Sequence, residues 1–417
     1  MNRMGPHMNA TRLRVLAVLA TMGSLAASAE AQSAPTCTFD PAIATVTVTV
    51  NGIAAEIRAS ATNGTIRLNG VACGAATVHN TDSILIDGGQ LDDHATVSGR
   101  FAPGLTSDGD GASEIEIAFA LGLGEDTATV KFTNAPDRVT FTSGGIDVGE
   151  DGDEDIDLAH AENVEIDGLS GGDIINAAAF LPASARNILT TYGGDGNDRL
   201  VGNDANNNYL VGGPGDDLLF GRGGSDWFVG GPGNDSMFGG DGRDYFVADP
   251  AIDGADFIEG GRELDTLDYR SRTNGITVTL GNGLADDGEP GEGDLVERVE
   301  EVWSGSGDDV LVGSSGSDYL YGRDGADEIY GGAGDDALYG EDGADSLFGE
   351  DGDDALLAGP GPDVLTGGPG ADRFFAQGGG DIIFNADGFA DYVNCGPGEA
   401  ADDAEEDPLD TFIGCEL

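Results

Sequence analysis

Aspartate recurs every nine residues through 304–384, at Asp309, Asp318, Asp327, Asp336, Asp345, Asp354, Asp363, Asp372 and Asp381. A glycine precedes each by two residues, from Gly307 to Gly379, and a large apolar residue follows each by two, from Leu311 to Ile383. The residues between these columns are free to vary, as Arg323, Glu341 and Gln377 show. Glycine disfavours helix interiors and takes up backbone with positive φ, so the Gly-x-x-Gly-x-Asp run excludes helix. The x-apolar-x triplet after it has one inward position between two outward ones, as a short strand does. Each repeat is therefore a turn and a strand. Such a unit buries its single apolar residue only by stacking on others, which makes the chain a solenoid. A disordered Gly/Asp-rich linker would not hold an apolar column in register.

If two repeats form one flattened coil, aspartates 18 residues apart lie on adjacent coils at the same edge, about 4.8 Å apart. Two carboxylates that close repel by roughly 1 kcal/mol in water and more strongly where water is excluded. A cation between the coils relieves this. Ca²⁺ bonds oxygen at about 2.3–2.6 Å and takes 6–8 ligands, which carboxylates and turn carbonyls can supply. Mg²⁺ wants shorter bonds and retains its waters, and zinc prefers nitrogen and sulfur.

Units such as Gly331-Gly-Ala-Gly-Asp-Asp336-Ala-Leu-Tyr339 and Gly367-Gly-Pro-Gly-Ala-Asp372-Arg-Phe-Phe375 resemble the RTX, or haemolysin-type, calcium-binding nonapeptide repeat. The resemblance covers roughly 193–384. It implies an all-β chain with a parallel β-roll (β-solenoid), in which turn aspartates and backbone carbonyls ligate calcium. Many proteins with this repeat use a dedicated exporter and carry no cleaved leader. This chain departs from them: Arg12 and Arg14, an apolar 15–27 and Ala29-Glu-Ala31 read as a signal peptide over 1–31.

With 77 acidic against 18 basic residues and a formal net charge of −59, nucleic acid is excluded as a partner and an anionic membrane is disfavoured. A compact state of that charge repels itself unless cations bind; roughly ten Ca²⁺ would offset about 20 charges. Past the leader, no stretch approaches the apolar length of a membrane-spanning helix. Cys37, Cys73, Cys395 and Cys415 form two sequence-local pairs, one near each end. They suggest disulfides 37–73 and 395–415 in an oxidising, extracellular compartment, closing ends where a solenoid exposes strand edges.

Residues 32–190 are β-rich, with short alternating strands at 44–50, 55–59, 65–68, 83–86, 114–119, 127–132, 139–141, 156–158, 164–166 and 173–175. They fit a sandwich or an irregular solenoid; Gly168-Leu-Ser-Gly-Gly-Asp173, a decayed repeat, favours the solenoid. The first array spans 191–269, with metal-binding candidates Asp198, Asp217, Asp226, Asp235 and Asp244. The 198/217 pair is one residue out of step, Asn207 and Asn208 fall in a degenerate unit, and Asp256 and Asp265 continue the pattern weakly. Residues 270–303 interrupt it with a strand at 276–280 and an acidic loop at 285–294. That loop is either a further cation site on Asp286, Asp287, Glu289, Glu292 or Asp294, or a solvated loop. The second array, 304–384, contributes its nine aspartates, and 385–417 is a cap.

Candidate chemistry is sparse. His79, His94 and His160 form no His-Glu-x-x-His, and Gly168-Leu-Ser170-Gly-Gly172 matches a lipase elbow but no histidine follows it. Asp151, Asp153, Asp155 and Glu162 mimic an EF-hand loop, yet Ile156 stands where the sharp turn needs glycine. The sequence predicts a secreted calcium-binding repeat protein without catalysis, acting structurally or at a surface, with a cell-surface, matrix or polysaccharide partner. The rival is a polysaccharide-active epimerase or lyase with a groove in 32–190; there, Lys131, Arg58, Arg67, Arg100 and Arg138 are scattered rather than clustered.

Overall fold

A computed structural model describes the backbone of strands from Thr36–Asp40 to Ile156–Asp157, residues 163–396 apart from 180–187, 206 and 386, and the segments 403–404 and 409–415. The leader at 1–31, Asp151, Asp153, Asp155 and Glu162 lie outside the described residues.

Each repeat places its strand on alternate faces of a flattened coil, and each strand pairs in parallel with the strand one coil on. Tyr319–Gly325 pairs with Ala337–Gly343, which pairs with Ala355–Pro360; on the opposite face Glu328–Ala333 pairs with Ser346–Asp351. The pairing is in register, Leu320 beside Leu338 beside Leu356. The central residue of each triplet points inward, and Leu311, Leu320, Ile329, Leu338, Leu347, Leu356, Leu365, Phe374 and Ile383 are all fully buried. Burial of one such side chain contributes about 1.5–3 kcal/mol, and only a neighbouring coil supplies the contacts. The outward columns also stack: Tyr321 on Tyr339 at 4.3 Å and Tyr330 on Phe348 at 4.8 Å between ring centres.

The same construction reaches back through the first third. Thr45–Thr49, Ser83–Gly89 and Glu116–Gly122 stack in parallel on one face, and His94–Ser98, Thr127–Lys131 and Asn163–Asp167 on the other. This is the solenoid rather than the sandwich, with antiparallel excursions at Thr36–Asp40 against Thr45–Thr49 and at Arg138–Phe141 against Gly145–Val148. The insertion at 270–303 affects the two faces differently. One sheet runs through it, with Thr266–Asp268 pairing to Glu301–Trp303 and on to Tyr319–Gly325. The other breaks. Leu295–Glu297 ends the stack that includes Phe257–Arg262, while Thr277–Thr279 begins the stack that continues at Val310–Val312. At the far end, Cys395 and Cys415 are joined, their Cα atoms 5.1 Å apart. The side chain of Cys73 lies outside those described, so its pairing with Cys37 stays an expectation.

Candidate metal centre

The turns stack along both edges of the coil, and each repeat's aspartate faces inward at the start of its strand. Asp309, Asp318, Asp327, Asp336, Asp345, Asp354, Asp363, Asp372 and Asp381 are all buried. One carboxylate oxygen is used by the protein. The N–H of Asp309 donates to Asp327 Oδ1 at 2.8 Å, and the same bond links 318 to 336, 327 to 345, 336 to 354, 345 to 363, 354 to 372 and 363 to 381. In the first array it links 217 to 235 and 226 to 244. The pair that is one residue out of step, 198/217, makes it as well, at 2.7 Å. Turn length is absorbed outside the ladder, so the extra residue does not displace the carboxylate.

The other oxygen has no protein partner. Oδ2 of Asp198, Asp217, Asp226, Asp235, Asp244, Asp309, Asp327, Asp336, Asp345, Asp354, Asp363 and Asp372, and Oδ1 of Asp318, are buried without a hydrogen bond. A buried, unsatisfied carboxylate oxygen is expensive, and its recurrence from coil to coil fits a cation ligand rather than an accident of packing. The space beside it is shaped by glycine. A methyl on Gly331 would stand 2.6 Å from both Asp336 Oδ2 and Gly349 O, and one on Gly340 would stand 2.5 Å from both Asp345 Oδ2 and Ala358 O. The first glycine of the turn thus keeps open a cradle between a carboxylate of its own coil and a carbonyl of the next. Gly193, Gly212, Gly221 and Gly349 repeat it. Carboxylate and carbonyl oxygens on coils one strand spacing apart are the donor set that calcium takes; among the described residues no three His, Cys, Asp or Glu side chains cluster as a metal site by themselves, so backbone carbonyls have to complete the shell.

Burial also moves protonation. It pushes Asp327 and Asp226 up to about 8, with the carboxylates of Asp309 and Asp244 respectively adding to the shift, and Asp336, Asp363 and Asp372 up to about 7. Asp345 and Asp354 rise to about 6, and Asp198, Asp309 and Asp318 are raised too. Metal-free turns hold protons where free aspartate would not.

Several members of the ladder break the nine-residue period. Asp256 and Asp265 each follow their partner by 21 residues and still accept from Asp235 and Asp244 at 2.8 Å. Asp294 accepts from Asp256, Glu300 takes the aspartate's place for Asp265, and Asp391 accepts from Asp372. Asp173 belongs as well, its N–H donating to Asp198 Oδ1 at 2.6 Å. The Gly168-Leu-Ser-Gly-Gly172 stretch is therefore the turn of a repeat, not a nucleophile elbow. Asn208 occupies an aspartate position and sends its amide to Asp226 Oδ1 at 2.7 Å. The acidic loop is neither solvated throughout nor an open oxygen cage. Asp286 is exposed, but Asp287 accepts the N–H groups of Thr279 and Val296, and Glu289, Glu292 and Asp294 are buried among protein donors.

These features define a class: a parallel β-roll whose two edges are ladders of inward carboxylates facing backbone carbonyls. The chain carries RTX calcium-binding nonapeptide repeats, whose family model (4 copies) matches residues 192–227, 204–237, 220–250, 303–338, 323–356, 330–365 and 357–389. The matches cover the first array as far as residue 250 and the whole of the second, and leave out 251–302. Among curated proteins none matches the chain. Repeats of this kind bind calcium.

Proposed function

We propose that this is a secreted, calcium-stiffened β-roll with a structural or surface-interaction role and no catalysis of its own. The observation that carries the reading is the unpartnered buried carboxylate oxygen repeated along both edges. Without a cation each is a desolvated acceptor; with calcium each becomes a ligand. The assigned ligands are Asp198, Asp217, Asp226, Asp235, Asp244, Asp309, Asp318, Asp327, Asp336, Asp345, Asp354, Asp363, Asp372 and Asp381, joined by the ladder member Asp265. Roughly ten ions fill these rungs at the ~10⁻⁴–10⁻³ M affinity of extracellular modules. The signal-like N-terminus, the disulfide between Cys395 and Cys415 and the need for millimolar calcium all favour an extracellular setting. Binding to the folded state alone links stability to calcium, so the arrays fold as the ion is supplied.

Far-ultraviolet circular dichroism at neutral pH tests this directly. The strand signal should appear as calcium is added to chelated protein, and magnesium at the same concentration should not replace it. A strand signal of equal size in excess chelator would refute the reading.

A further inference from the structure

Along one of its two edges the break at 270–303 lacks the open rung found elsewhere; on the other, Asp265 keeps it, facing the carbonyl of Arg298. On the edge that carries Asp235 and Asp256, the next carboxylate is Asp294, but its second oxygen takes the Tyr269 hydroxyl at 2.8 Å. The following rung, ahead of Thr277–Thr279, has Ile276 where the aspartate belongs; its N–H still donates to Asp309 Oδ1 at 2.8 Å. Between these rungs lies Arg272, with 1% of its side chain exposed. Its Nη2 donates to Glu292 Oε1 at 2.6 Å and to Asp253 Oδ1 at 3.2 Å, and its Nη1 to Glu289 Oε1 at 3.3 Å. The remaining oxygens of the two glutamates are also held, Glu289 by the amide of Asn274 and Glu292 by the N–H of Glu289. The carbonyl of Arg272 accepts from Ser306 in the next turn.

We propose that Arg272 is a built-in cation that replaces calcium at the junction of the two arrays. The guanidinium ties the turn at 248–256 to the loop at 285–294, and the backbone carbonyl of the same residue holds the turn at 304–309, so that one residue does the inter-coil bridging assigned to the metal in the regular rungs. Buried carboxylates demand a positive partner, and arginine supplies one that stays charged and forms several directed bonds. A cation attached to the chain does not dissociate when calcium falls. The junction therefore holds at calcium concentrations at which the arrays on either side are empty, and it gives both a formed coil on which to grow. The proposal rests on the calcium reading of the regular rungs.

Full-length protein equilibrated in millimolar calcium, with bound metal counted by atomic emission and folding followed by circular dichroism, tests it. Arg272→Gln leaves Asp253, Glu289 and Glu292 without their cation and should bind one calcium more per chain than the parent, and Arg272→Lys should keep the parent's count. Arg272→Gln that folds with the parent's count overturns the proposal. Should Arg272→Gln fail to fold even in calcium, the combined variant Arg272→Gln, Asp253→Asn, Glu289→Gln, Glu292→Gln decides. It removes both signs of charge and should fold with the parent's count; its failure to fold would show that shape, not charge balance, is what Arg272 provides, and would also overturn the proposal. A parent that binds no calcium refutes the underlying reading as well, a result distinguishable because every variant then reads zero.

Discussion

From residue 322 onward the second residue of each turn in the second array has left-handed backbone. Glycine occupies it at Gly332, Gly359 and Gly368, with φ between 103° and 116°, but Arg323, Glu341, Glu350 and Gln377 hold φ of 74°, 69°, 70° and 68°. The sequence leaves these positions free to vary; the backbone does not, because a Cβ in this region crowds the following carbonyl. The long side chains are tolerated, at a local energy that the stacked coils on both sides make up. Replacing Glu341 or Glu350 with glycine should therefore raise stability by about 0.5–1 kcal/mol each, the strain relieved exceeding the flexibility gained by the unfolded chain. Denaturant unfolding in saturating calcium measures this. A lower midpoint for either variant would mean that the side chain's own contacts outweigh the strain.

The repeating element is the rung, and its aspartate has opposite effects with and without metal. Asp345 accepts from the N–H of Asp327 through one oxygen and leaves the other unpartnered. Asp345→Asn keeps an acceptor for that N–H and removes the buried charge. In chelator the variant should be more ordered than the parent. In saturating calcium it should be less stable, by about 1–3 kcal/mol, because a ligand is lost. A variant that is weaker in both conditions would contradict the assignment of the free oxygen to the metal. How far these rungs are visible in the sequence depends on turn length. Where every turn has six residues, the carboxylate, glycine and apolar columns can be read directly, as through 309–381. Asp256, Asp294 and Asp391 join the same ladder after longer gaps, since register is fixed by strand pairing and a long turn bulges away from it. Arg272 gives no sequence signal of its own: its carboxylate partners come from two separate turns, and only the broken sheet brings them together. The outward ring stack from Tyr209 through Trp227 to Tyr245 is likewise hidden, because the columns it fills also hold Thr266 and Glu301.

The whole molecule carries a formal charge of −59, and its stability should respond to pH and calcium in opposite directions. In the metal-free fold, burial pushes Asp217, Asp235, Asp336, Asp363 and Asp372 up to about 7 and Asp226, Asp265 and Asp327 up to about 8, above the ordinary carboxylate range. The native state then binds more protons than the unfolded chain between about pH 4 and 8. Stability without calcium is greatest below the unfolded value near 4 and is lost as pH rises through 6 to 8. Calcium requires the deprotonated form, so its affinity moves the other way, weakening as pH falls through the same window. Chelated protein should thus gain strand signal when taken from about pH 8 to pH 5, still above the isoelectric value of 4.1. Calcium-loaded protein should hold its signal over that range while its calcium midpoint rises at the acid end. Circular dichroism across a grid of pH and free calcium reads both trends. Chelated protein that is equally folded at the two pH values would show that the buried carboxylates are not what opposes folding in the absence of metal.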